Sequence, residues 1–155
     1  MWNRKQSVEL SIVVCCIVAV VLTVGLFFGP WAVELWFSVY RGWAVGGHAM
    51  HKLLTVFCAC YYPSCVFAYI TLYSLLRLLL NIRKEAIFVA VNVRYLRRIS
   101  WCCFAVALIT LAGGVFYIPF SFVAVAAAFV GLMLRVVKNV MHSAVELKSE
   151  NELTI

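Results

Sequence analysis

Charge is scarce in this sequence, and its absence from long stretches is the most informative feature. Only 12% of the residues are charged and 66% are hydrophobic, and the mean hydropathy is +1.02. Soluble domains are typically about 25% charged and about 45–50% apolar. So little polar surface cannot cover a water-soluble globule, and the composition therefore predicts a protein whose solvent is lipid.

Catalytic and ligand-binding patterns are also missing. The sequence contains no P-loop, HExxH or GxSxG motif. No charged residue or histidine lies near the middle of an uncharged run, where ion- and proton-coupled transporters usually carry such groups. The seven cysteines lie in apolar stretches without a CxxC pair, and buried cysteine behaves as a small hydrophobe. We therefore expect a non-enzyme with no catalytic residue, no cofactor and no metal site.

Three uncharged runs, 10–33, 53–76 and 99–134, predict four membrane-spanning helices. A helix needs about 20 apolar residues to cross a hydrocarbon core roughly 30 Å thick, so the first two runs supply one crossing each. The third run is too long for one crossing, and Gly113-Gly114 followed by Pro119 predicts a turn at its middle. Strands are excluded because an open sheet leaves backbone groups unpaired in lipid.

The predicted fold class is an all-α membrane protein, a four-transmembrane-helix bundle that forms a single domain over residues 1–155. The approximate spans are 9–30, 53–77, 99–117 and 121–138. An outer loop is expected from Pro30 to His51, with Ala32–Tyr40 as a short surface helix within it. The inner segments are a loop, 78–98, and a tail, 139–155. Helical spacing of apolar residues through both segments predicts that helices three and four extend into the cytoplasm, the fourth to about Leu147.

The basic residues predict the orientation. With the N-terminus inside, all but two of the 13 Lys and Arg lie on the inner side, the exceptions being Arg41 and Lys52. Cytoplasmic segments of membrane proteins carry an excess of Lys and Arg, so both termini are predicted to be cytoplasmic. The net charge of +7 then reflects topology, and no direct binding of nucleic acid is expected.

Small residues recur at four-residue spacing in the fourth helix. Ala124, Ala128 and Gly131 belong to small-x-x-x-small pairs, which allow helix backbones to approach closely. Packing within one chain is the favoured interpretation. A contact between two copies of the chain is the alternative.

Several segments resemble a known family. They are NVRYLRRISW at 92–101, LAGG at 111–114, VAVAAA at 123–128, LRVVKNV at 134–140 and the last residues, 144–155. Together they resemble the uncharacterised bacterial membrane family called domain of unknown function 2975. The chain departs from the family pattern at Val91, where members often have an acidic or polar residue, and at Glu152, where Asp is more frequent.

The resemblance implies four helices and no known catalytic activity. It also suggests a partner, since genes of this family commonly lie beside one for a small helix-turn-helix regulator of the Cro/CI type. We therefore predict a multi-pass protein of the bacterial cell membrane that binds such a regulator at its cytoplasmic face. The alternative is an accessory subunit or small permease for an uncharged solute.

The candidate partner-binding face gathers the charged residues of the inner loop and the tail. A salt bridge from Arg94 or Arg97 to Glu146 is one expectation, and separately solvated charges are the other. The candidate residues are Arg83, Lys84, Arg94, Arg97, Arg98, Glu146, Glu150 and Glu152.

Overall fold

Four long helices make up the described part of the chain. The computed structural model describes the backbone of residues 4–40 and 47–153 and the side chains of 6–36, 38–39 and 51–150. Each helix contains a stretch long and apolar enough to cross a membrane, which confirms the predicted fold class. The helices are α1 (Arg4–Tyr40), α2 (Gly47–Arg83), α3 (Ala90–Gly114) and α4 (Pro119–Leu153).

The first helix is longer than predicted. It continues through Pro30 to Tyr40, so the prediction that a loop begins at Pro30 is wrong, and 32–40 belongs to α1. Proline restricts the preceding residue partly through that residue's Cβ, and the residue here is Gly29, which has none. The remaining connection to α2, residues 41–46, lies outside the described part of the chain.

The predicted turn in the third uncharged run is confirmed. α3 ends at Gly114 and α4 begins at Pro119, where a helix does not require the missing amide hydrogen. The amides of Phe116 and Tyr117 donate to the carbonyl oxygen of Gly113 at 3.0 and 3.1 Å. A Cβ atom on Gly113 would lie only 2.7 Å from the Cys60 sulfur of α2. Glycine therefore lets α2 approach the turn closely.

The contact between α3 and α4 is the most extensive in the fold. The hydroxyl of Ser100 donates to the carbonyl oxygen of Gly131 across this contact at 2.9 Å. A Cβ atom on Gly131 would lie 3.3 Å from the Cβ of Cys103, and Ala124 is only 4% exposed. The small residues of α4 thus serve close packing within the chain.

The helices pack in chain order. Among the described residues, close backbone approach joins α1 to α2, α2 to α3 and α3 to α4, and the rings of Phe57 in α2 and Phe120 in α4 also stack at 5.9 Å. α3 lies inside this row and supplies most of the buried positions, whereas α1 lies at its edge.

Helices α3 and α4 continue beyond the third uncharged run at the basic side, as predicted. α3 starts at Ala90, well before the third uncharged run begins at residue 99, and α4 reaches Leu153, beyond the expected Leu147. The start of α1, the α2–α3 connection (84–89) and the end of α4 lie at one end of the molecule. This end, called the basic end below, holds the predicted partner-binding residues.

Candidate partner-binding surface at the basic end

The α2–α3 connection starts with a defined helix stop. The amide of Ala86 donates to the Asn81 carbonyl at 3.0 Å, and the amide of Glu85 donates to the Ile82 carbonyl at 3.0 Å. This pair of bonds is a Schellman motif, which satisfies carbonyls that a helix end leaves free. Its left-handed position is occupied by Glu85, with φ 62°, where glycine is usual. A side chain there costs about 1 kcal/mol, so neighbouring contacts must hold the turn.

Those contacts come from two asparagines. Asn92, in the first turn of α3, is fully buried. Its side-chain amide donates to the carbonyl oxygens of Ala86 and Ile87 at 2.8 Å each, while its oxygen accepts a hydrogen bond from the Asn81 side chain at 2.8 Å. One side chain therefore ties the end of α2, the connection and the start of α3 together.

The predicted cations on the connection and on α3 are exposed. Arg83 lies 3.6 Å from Glu9 of α1, and both side chains are 59% exposed. Lys84 is the first residue of the α2–α3 connection and is also exposed. Arg94 and Arg98 are exposed on α3 and are four residues apart, so they lie on the same side of the helix. The end of α2, the connection and the start of α3 thus present exposed cations together at the basic end.

Arg97 lies apart from the other α3 cations. It lines a groove between α3 and α4 together with Ser100, Trp101, Arg135 and Lys138. The guanidinium of Arg135 lies over the Trp101 ring, 5.3 Å from its centre. The sequence prediction expected Arg97 to approach α4 at Glu146, whereas the structure groups it with Arg135 and Lys138. Counting outward from the turn along two antiparallel helices would have brought Arg97 close to Lys138.

The predicted acidic residues lie along α4. The Glu146 carboxylate lies 3.3 Å from Nδ1 of His142, one turn earlier on the same helix, and the two form an ion pair when the imidazole is protonated. The expected bridge from Arg94 or Arg97 to Glu146 is thus replaced by a pair within α4. Glu150 is exposed in the last turns of α4. Glu152 lies in α4, but its side chain lies outside the described residues.

The basic end suits non-covalent recognition. Exposed cations lie on the α2–α3 connection and on α3, exposed carboxylates lie on α4, and the hydrogen bond between Asn81 and Asn92 fixes the connection between α2 and α3. Among the described residues, no group of three His, Cys, Asp or Glu side chains is arranged to hold a metal ion. Asn81 and Asn92 were not predicted as contact residues, although two asparagines that flank a short connection are a signal for such a clamp.

The comparisons with known proteins agree with the resemblance seen in the sequence. No curated protein and no solved structure matches the chain. A family model does match, over residues 39–155, and its description is "Protein of unknown function (DUF2975)". This match includes α2, α3 and α4 with the whole basic-end connection. The chain is a multi-pass membrane protein of this family.

Proposed function

We propose that this protein is a membrane-embedded regulatory partner whose basic end binds a small soluble protein. The expected partner is a helix-turn-helix regulator of the Cro/CI type. In this proposal the basic end faces the cytoplasm, because cytoplasmic segments carry the excess of Lys and Arg. The protein itself performs no chemistry and acts by holding its partner at the membrane.

The observation that carries the proposal is the buried clamp at Asn92. Asn92 makes three side-chain hydrogen bonds that order the α2–α3 connection. A surface that is already rigid loses less conformational entropy on binding, which increases its affinity for a partner.

The charges indicate the kind of surface that fits. Arg94 and Arg98 have no acidic partner among the described side chains, and Lys84 is equally exposed. Such cations attract an acidic patch and increase the rate of association. Glu146 and Glu150 on α4 supply the opposite sign nearby, so a partner with both signs of charge would bind in one orientation.

Binding can be measured with the full chain purified in detergent micelles and, as the probe, a small Cro/CI-type regulator whose gene lies beside that of this protein. We expect the wild-type protein to retain the regulator in a pull-down. Charge reversal by Arg94→Glu should weaken retention about tenfold, since it places a like charge against an acidic partner. Retention should also fall as salt rises from about 0.05 to 0.5 M, because exposed charges are screened.

Lys52→Glu is the matched control. It reverses one exposed charge near the start of α2, far from the basic end, and should leave retention unchanged. Failure of the wild-type chain to retain the regulator contradicts the proposal. Equal weakening by Arg94→Glu and Lys52→Glu also contradicts it, because the effect would then come from overall charge.

A further inference from the structure

A basic pocket lies between α3 and α4 where the last uncharged run ends. It has a volume of about 290 Å³, and three of its five lining residues are cations: Arg97, Arg135 and Lys138. None of the three forms an ion pair with a described acidic side chain. Three converging positive charges repel one another, so an anion in this pocket is favoured.

An apolar groove continues directly from this pocket along the same two helices. Its volume is about 430 Å³, and it shares Trp101 and Arg135 with the basic pocket. Leu108 and Val125 on its walls are each 69% exposed, so the chain itself does not cover it. Small side chains at Ala107, Ala124 and Ala128 leave the space between the walls open.

Arg135 marks the boundary between the two parts. It is the first charged residue after the uncharged run 99–134, which places it at the level where hydrocarbon meets headgroups. Its guanidinium carbon lies 5.3 Å from the centre of the Trp101 ring and 5.8 Å from the centre of the Phe104 ring. Cation–π contact leaves the guanidinium without an ion pair to a described acidic side chain, and guanidinium N–H groups bind phosphate in pairs.

We propose that this continuous groove binds one anionic phospholipid, with its phosphate between Arg97, Arg135 and Lys138 and one acyl chain along the apolar part. Basic pockets between membrane helices recognise anionic headgroups in this way. Trp101 at the boundary is suited to the same level, since tryptophan concentrates at membrane interfaces. The site is separate from Arg94 and Arg98, and it does not depend on the proposed regulator.

Native mass spectrometry of the full chain in detergent micelles tests the site. The probes are dioleoylphosphatidylglycerol and dioleoylphosphatidylcholine, added in equal amounts. We expect the anionic lipid to be retained in preference to the zwitterionic one. The double variant Arg135→Gln/Lys138→Gln should bind phosphatidylglycerol roughly 30-fold more weakly, the factor that two cations contribute at a membrane surface. The control Arg94→Gln/Arg98→Gln removes equal charge outside the groove and should bind like wild type.

The acyl-chain part has its own pair of variants. Ala128→Leu fills the apolar groove without changing a charge and should lower phosphatidylglycerol binding severalfold. Ala126→Leu makes the same change at an exposed position outside the groove and should not. Inorganic phosphate in millimolar excess should fail to displace the lipid, because it lacks the acyl chain.

Four outcomes overturn the proposal. The first is equal retention of the two lipids, and the second is an equal loss of phosphatidylglycerol binding in Arg135→Gln/Lys138→Gln and Arg94→Gln/Arg98→Gln. The third is displacement of the lipid by inorganic phosphate. The fourth is equal phosphatidylglycerol binding by the Ala128→Leu and Ala126→Leu variants. The Arg135→Gln/Lys138→Gln variant changes only groove cations that form no described ion pair. Its lipid binding therefore tests the proposal even if Ala128→Leu does not fold. A regulator pull-down is not involved, so failure here is distinguishable from failure of the proposed function.

Discussion

Helices α1 and α3 are both apolar enough to cross a membrane, yet they are built into the molecule in different ways. In α3, 39% of the most apolar window is buried within the protein, against 6% in α1. α3 packs against α2 and α4, whereas α1 packs against α2 alone among the described residues. The family match begins at residue 39 and so includes α3 but almost none of α1.

The two helices also use different contacts. Within lipid there is no hydrophobic drive to bring helices together, so close packing and hydrogen bonds decide the association. α3 meets α4 through Gly131 and a buried hydrogen bond from Ser100. Where α1 meets α2, Gly25 of α1 faces the Tyr61 side chain of α2. A Cβ atom on Gly25 would lie 2.9 Å from the Tyr61 hydroxyl. At Gly25 the facing atom is the end of a side chain, whereas at Gly131 it is a Cβ atom of α3. The α1–α2 contact is also the least extensive of the three among the described residues, and α2–α4 therefore form the core.

The largest expected effect comes from the anchor at the start of α3. Asn92→Ala removes three hydrogen bonds and leaves half-buried partners on Asn81, Ala86 and Ile87 without them. We expect a loss on the order of 3 kcal/mol in the free energy of unfolding, measured by SDS titration in mixed micelles. Tryptic cleavage after Lys84 should also become faster. The control Asn139→Ala, at an exposed position in α4, should change neither, and similar losses from both variants would contradict the role of the clamp.

The next effect compares the two kinds of helix contact directly. Gly131→Leu places a side chain against the Phe104 ring and the Cβ of Cys103, and that Cβ moves only with the backbone of α3. The expected cost is about 1–3 kcal/mol in the same titration. Gly29→Leu in α1 meets only the Tyr61 side chain, which can rotate, and should cost at most about 1 kcal/mol. If Gly29→Leu costs as much as Gly131→Leu, the contrast between the helices is wrong.

A smaller effect tests the hydrogen bonds between helices. Ser100→Ala removes a buried bond from α3 to the Gly131 carbonyl at 2.9 Å, and Thr23→Val removes a more exposed bond from α1 to Tyr69 at 2.9 Å. Bonds between membrane helices contribute about 0.6 kcal/mol on average and at most about 1.7 kcal/mol. We expect Ser100→Ala to lie near the upper value and Thr23→Val near or below the average. The reverse order in SDS titration would contradict this.

The smallest effect concerns the ion pair between α1 and α2. Arg83→Ala removes a contact of 3.6 Å to Glu9 in which both side chains are 59% exposed. Exposed pairs contribute about 0.2–1 kcal/mol, and we expect the lower end. A double-mutant cycle with Glu9→Ala measures the coupling, which should decrease at high salt. A coupling above about 1 kcal/mol would mean that α1 is held more firmly than its packing indicates.

Much of the fold was predictable from the sequence because lipid imposes simple requirements. A long uncharged run in lipid must become a helix, since every backbone group needs a partner. This rule accounts for the four helices, and Gly113-Gly114 with Pro119 accounts for the turn. The prediction that the loop after α1 begins at Pro30 was wrong. Proline usually restricts the residue before it partly through that residue's Cβ, and Gly29 has none.

The candidate site was predictable only in part. The sequence located the cations at the basic end, since their positions along the chain follow from the helix boundaries. It did not separate Arg97 from Arg94 and Arg98, nor did it place Glu146 beside His142. Those groupings depend on how α3 is rotated against α4, which is determined by the close approach at Gly131 and by the Ser100 bond.

The sequence by itself thus determined the solvent of this protein, the number of its helices and which end is basic. These properties follow from where charged residues are absent along the chain. Only the tertiary structure decided that Asn92 locks the connection, and that Arg97, Arg135 and Lys138 meet beside an open apolar groove. The reason is physical: hydrogen bonds and electrostatic contacts act over a few ångströms, and residues far apart in the chain come within that range only after the helices have packed.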